Sequence, residues 1–205
     1  MSETPLLRFF VTYGRVGTSL VGAVLRRYAE PTRHYHNVDH LARIVAAAGA
    51  HRLILTHAQA LAVLYHDAIY RAGAPSGDNE QRSADLLRQE LVGIAGPDVI
   101  DEAARIILDT RDHLPTGASS ALVLDLDLLG LAGTPAEVSR DSELVYLENA
   151  HLVSGWEDYV TRRARFMSNL LQRPRILHSA ALEHYEARLR ANLQAVVDAE
   201  AARKG

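Results

Sequence analysis

Apolar residues recur at three- and four-residue intervals along most of the chain, and strict alternation is rare. That pattern predicts helices in place of a sheet. Thr4-Pro5 opens a first helix directed towards Tyr28, with Gly14 and Gly17 as points where it can break and Pro31 ending it. Asn37 stands as N-cap of a second helix whose buried stripe is Leu41, Ile44, Val45 and Ala48. Thr56 caps a third, HAQALAVLYHDAIY, which is apolar on most sides and is expected deep in the protein. Asp78 and Gln81 have capping-box spacing for a helix through Leu91. Gly96-Pro97 begins the next, and Ser119 or Ser120 a short one containing LVLDLDLLGL. Thr134 with Glu137 and Ser154 with Glu157 repeat the capping-box spacing, and a last helix is expected from about Ser179, with Leu182, Tyr185, Leu189, Leu193 and Val196 as its stripe. The run ALVLDLDLLGL has the look of a buried strand, but no other segment offers it a partner. The expected fold is all-α.

Composition narrows the function classes. With 205 residues the chain can bury one substantial core, so a single domain is expected, with a soft joint near Gly133. Hydrophobic residues at 48% and charged residues at 23% fit a globular chain and exclude a disordered or fibrous one. A formal net charge of −3 gives no general reason to bind a nucleic-acid polymer or an anionic membrane. The absence of cysteine removes disulfides, thiolate nucleophiles, Cys-type zinc sites and iron–sulfur clusters. The start MSETPLLRFF has no cationic stretch followed by a long apolar one, and no run approaches about 18 apolar residues, so a cytoplasmic location is expected.

Within that frame four places put metal-capable side chains at helix ends: His36 with His40, His66-Asp67, His113, and Asp125 with Asp127. His36 and His40 are four apart and share a face if the turn between them is helical. His66-Asp67 closes the most apolar segment of the chain, where an uncompensated ionisable pair costs several kcal/mol, and a divalent cation offsets that cost for both side chains together. Asp127 raises the same question inside VLDLDLLGL, where no basic residue is adjacent in sequence.

The ordered set of a histidine, a His-Asp doublet on a buried helix and a later Asp in a D-x-D-L context resembles the HD-domain superfamily of metal-dependent phosphohydrolases. The stretch YHNVDH at 35–40 is similar to the Y-H-N-x-x-H motif of cyclic nucleotide phosphodiesterases. DNEQRSAD, EARLRANL and the D-L-D-L-L-G run are similar to a bacterial branch of small HD phosphohydrolases. The resemblance covers about residues 28–195. It departs from the phosphodiesterases after the doublet, where D-x-x-H-P-G is replaced by DAIYRAG, so cyclic nucleotide specificity is not implied.

The resemblance implies an HD-type helical bundle over residues 1–205, with a metal-site core at about 28–132 and C-terminal helices at about 135–202. It implies a first shell of His40, His66, Asp67 and Asp127 around one or two divalent ions; imidazole and carboxylate donors do not choose among Mn, Mg, Fe, Co, Ni and Zn. His36 is the expected general acid, and Asp67 the natural bridge if two ions bind. Glu80 is a candidate for a catalytic or supporting carboxylate. Arg33, Arg82 and Arg111 are candidate phosphate clamps, and His113 a candidate contact to phosphate or to a second ion. Asp125 either orients a ligand or caps a turn, His34 has no assigned role, and Trp156, Tyr146 and Tyr159 are expected in the core. The expected partners are a small phosphorylated substrate and at most a second copy of the chain. Two other functions compete: a di-iron oxygenase on the same fold, and a metal- or nucleotide-binding module without chemistry.

Overall fold

Thr4 opens the first helix as its chemistry requires, its side chain accepting from the Leu7 N–H while Pro5 occupies the position that needs no donor. The computed structural model describes residues 4–204, and among the described residues it is all-α, with ten α-helices and no strand. No helix among them is long and apolar enough to cross a membrane. The chain falls into two compact units, with the boundary between Leu124 and Asp125.

The first unit contains α1 (Pro5–Tyr13), α2 (Thr18–Tyr28), α3 (Val38–Ala50), α4 (His57–Tyr65), α5 (Asp78–Leu91), α6 (Pro97–Asp109) and the start of α7 (Ala118–Leu128). At its centre lies α4, buried from Ala58 to Tyr65 and packed against α1, α2, α3, α5 and α6. Its Thr56–Gln59 capping box forms in both directions, as the spacing requires. The break between α1 and α2 falls at Gly14, where a Cβ would lie 2.6 Å from the Phe10 carbonyl oxygen.

Three local expectations are corrected. The α4 segment ends at Tyr65 and not at Tyr70, because residues from other elements take the backbone groups that would continue it. Tyr28 Oη accepts from the Asp67 N–H, Ser83 Oγ accepts from the Ile69 N–H, and Arg33 donates to the Asp67 and Ala68 carbonyls. Asp78 does not cap α5. Gly77, at φ 83°, holds the N-cap position, Asp78 pairs with Arg82, and the Gln81 side chain turns to Asp85. The LVLDLDL stretch is helical, and α7 starts at Ala118, before both serines. Their hydroxyls serve a buried network in which Asp109 accepts from Ser120 and from the Thr116 N–H and hydroxyl, and Arg105 donates to both serines.

The second unit contains the end of α7, α8 (Pro135–Asn149), α9 (Trp156–Leu171) and α10 (Glu186–Lys204). Its core joins Leu128, Ala132, Met167, Leu170, Ile176, Leu177, Leu189 and Leu193. The Thr134–Glu137 capping box forms. The one expected at Ser154 does not. Gly155, at φ 126°, is the N-cap of α9, and Asp158 accepts from the Ser154 N–H. The last helix starts at Glu186, seven residues later than Ser179, whose N–H and hydroxyl are taken by Asp125; the Glu186 carboxylate accepts from the Ile176 and Leu177 N–H groups and pairs with Arg190. Burial alone would raise the Glu186 pKa, and these donors together hold it below the usual value. Trp156 is 44% exposed and not in the core. It stands edge-on to Tyr146 at the side of an apolar cleft of about 460 Å³ that Val138, Val160 and Val196 also line.

Asp125 has a structural answer. It is fully buried and accepts from the His178 and Ser179 N–H groups and the Ser179 hydroxyl. Asp125→Ala would strand these three donors at about 1–3 kcal/mol each, so a loss of at least about 3 kcal/mol is expected in urea unfolding. A loss below about 1 kcal/mol would contradict this anchoring role.

Glu200 is 5% exposed and accepts from Arg203, Lys204 and Thr161, which hold its pKa well below the usual carboxylate range. A depressed folded pKa contributes stability that is fully present above the unfolded value of about 4.3 and is lost as pH falls below it. Thermal melts at pH 3 to 7 are expected to show a steeper acid loss for the native chain than for Glu200→Gln; parallel curves would contradict the linkage.

Candidate metal centre

Asn37 sets the first component. Its side chain accepts from the Asp39 and His40 N–H groups and donates to the His34 carbonyl, which starts α3 and places His40 in its first turn. His40 is 3% exposed. The second component is the end of α4, where His66 is the C-cap, 2% exposed, with Asp67 directly after it. Tyr28, wholly buried in α2, fixes this end by donating to the Leu64 carbonyl and accepting from the Asp67 N–H, both at 3.1 Å.

One ligand-capable atom each from His40, His66 and Asp67 lies within 4.8 Å of the other two. His66 Nε2 is 3.2 Å from His40 Nε2 and 3.1 Å from Asp67 Oδ2. His66 Nδ1 is 2.9 Å from the Val63 carbonyl oxygen. A carbonyl only accepts, so Nδ1 carries a proton, which leaves Nε2 as the ring atom aimed at Asp67 and His40 and available to a cation. A carboxylate oxygen and an imidazole nitrogen 3.1 Å apart need a positive charge between them, which a ring proton or a cation supplies. Metal–nitrogen bonds of about 2.0–2.1 Å put two ligand nitrogens about 2.9 Å apart at a right angle and about 3.4 Å apart at a tetrahedral one. The observed 3.2 Å lies between them, so the donor set fits one divalent cation.

His36 stands next to this set. Its ring centroid is 6.1 Å from that of His40, and it stacks on Tyr70 at 4.2 Å with an interplanar angle of 25°. Tyr35 is edge-on to His36 at 4.9 Å and tilted against His40 at 5.3 Å. The turn that begins α3 therefore supplies both a histidine for the cation and a second histidine beside it.

No family model, curated protein or solved structure matches the chain. The centre stands on its own geometry.

The remaining sequence candidates occupy the following places. Asp127 is half-buried in the last turn of α7 and belongs to the second unit, so the geometry above rests on three residues of the first unit. Arg33 is 7% exposed and its guanidinium is engaged by backbone. It donates to the His36, Asp67 and Ala68 carbonyls and pairs through Nε with Glu30. Arg82 is paired with Asp78 and mostly exposed. Arg111 pairs with Asp112, which raises its pKa, and lies against Gly77; Glu80, half-buried in the first turn of α5, adds its negative charge to that environment. His113 sits between α6 and α7 in the left-handed region, at φ 49°. Tyr28 and Tyr70 hold the site together, and sequence spacing does not mark them, because the groups they touch belong to other elements.

Proposed function

We propose that the protein is a metal-dependent phosphohydrolase of the HD type, acting on a phosphoester of a nucleotide or another small phosphorylated metabolite. The observation that carries the reading is the convergence of His40 Nε2, His66 Nε2 and Asp67 Oδ2, with His66 oriented by Val63, next to a histidine that is not one of the three. The reaction class comes from the resemblance of YHNVDH and the His-Asp doublet to phosphohydrolase motifs.

His40, His66 and Asp67 would hold the ion. When bound there, a divalent cation supplies Lewis acidity and a nucleophile active at neutral pH. His36 serves as the proton donor to the departing oxygen, a role that needs an imidazole close to the cation but not bound to it. Its ring is held for that task by the face of Tyr70 and a T-shaped contact with Tyr35. The N-terminus of α3, beside His36, favours an anion through its aligned backbone dipoles.

The test is elemental analysis of the purified protein joined to a phosphoester panel run with Mn, Mg, Fe, Co, Ni and Zn. Turnover that is lost on chelation and restored by one of these ions is expected. A metal-loaded protein that hydrolyses nothing in the panel would contradict the reading. If that protein were also iron-rich and consumed O₂, an oxygenase would take its place.

A further inference from the structure

Tyr28, Arg33, Tyr70 and His36 form a continuous stack within the first unit. The Arg33 guanidinium carbon lies 5.3 Å from the Tyr28 ring centroid and 5.8 Å from that of Tyr70, and Tyr70 in turn stacks on His36 at 4.2 Å. The same guanidinium reaches three carbonyls on two segments: His36 on the turn before α3, and Asp67 and Ala68 on the turn after α4. Tyr28 then bonds the Asp67 N–H and the Leu64 carbonyl. In this set the guanidinium and the aromatic faces join the His36 turn to the His66-Asp67 turn.

We propose that Arg33 and Tyr70 are positioning residues that hold the His36 ring at a set distance from the cation ligands, and that Arg33 does not clamp substrate. The inference rests on the phosphohydrolase reading for the role of His36, but the stack itself is testable without turnover. Arg33 suits the task for a chemical reason. A planar fork with five donors can bridge carbonyls on two segments while lying flat between two rings, and a lysine ammonium, with three donors and no plane, cannot do both at once. With a side chain only 2% exposed and one carboxylate partner in Glu30, the guanidinium is shielded from a phosphate arriving from solvent.

The substitutions Arg33→Lys, Tyr70→Leu and Tyr70→Phe separate positioning from substrate binding and from plain stability. With bis(p-nitrophenyl) phosphate and Mn²⁺, the first two are expected to lower kcat on the order of 10²-fold, as a displaced catalytic group does. KM is expected to stay within about threefold in both, since neither removes a substrate contact, and the Mn²⁺ dissociation constant, by calorimetry, to stay within about threefold in Tyr70→Leu, which leaves the Arg33 bonds to the Asp67 and Ala68 carbonyls in place. Tyr70→Phe keeps the ring and is expected to retain more of the native kcat than Tyr70→Leu does. In metal-free protein, the His36 ring resonances are expected to move in Arg33→Lys and Tyr70→Leu, where the stacking face shifts or is lost, and to hold in Tyr70→Phe. A raised KM with unchanged kcat in Arg33→Lys would overturn the proposal and return Arg33 to substrate binding. Unmoved His36 resonances in both disruptive variants would also overturn it. Failure of the native protein to take up any of Mn, Mg, Fe, Co, Ni or Zn would sink the functional reading instead, and the ring resonances would still decide whether the stack holds His36.

Discussion

Asp67→Asn is expected to lose divalent metal affinity by more than about 10²-fold while folding as the native chain does. The lower bound follows because residues that only support a metal ligand cost about 10–100-fold when replaced, and Asp67 is placed as a ligand itself. Folding is expected to survive because Tyr28 and Arg33 hold position 67 by its backbone N–H and carbonyl, and the substitution leaves both in place. The metal-free variant should be about as stable as the metal-free native chain, because asparagine keeps the size of the side chain and can still hydrogen-bond the His66 Nε2 that lies 3.1 Å from the carboxylate. With ion at 100 times its dissociation constant, the native protein should gain about 2.7 kcal/mol and the variant almost nothing. Melting curves with and without Mn²⁺ or Zn²⁺, beside calorimetry, read both quantities. Equal metal-induced shifts in the two proteins would remove Asp67 from the centre.

His36→Ala is expected to keep the cation and lose turnover by about 10²–10⁴-fold, the contribution of a positioned proton donor. The contrast with Asp67→Asn is the informative part, since one change would spare binding and remove chemistry while the other removes both. His36→Phe serves as its control, because a phenyl ring can keep the stack on Tyr70 but cannot carry a proton. Both His36 variants should be similarly slow. A fast His36→Phe enzyme would assign the residue to packing, and a His36 variant that lost the ion would make it a ligand.

The parts of this protein legible in its sequence are those whose cause lies within one turn of helix. Asn37, Thr56 and Thr134 are helix starts because a side-chain oxygen meets an N–H two or three residues on, and all three cap as their spacing indicates. Most of the metal-site candidates were legible for a related reason, since polar, ionisable side chains at the edge of an apolar helix demand compensation. The groups that shape the site act over longer spans. Tyr28 ends α4 from 39 residues away, and Arg33 reaches Asp67 across 34. Asp125, which local sequence left between ligand support and turn capping, is committed to backbone 53 and 54 residues further on. Nothing near Arg33 in sequence predicts that two tyrosines and three carbonyls surround its guanidinium.

The most direct test is a crystal soaked in Mn²⁺, with data collected to locate anomalous scattering. A peak about 2.0–2.3 Å from His40 Nε2, His66 Nε2 and an Asp67 carboxylate oxygen is expected. Well-ordered side chains at these positions with no peak among them, at an Mn²⁺ concentration that loads other sites, would contradict the account.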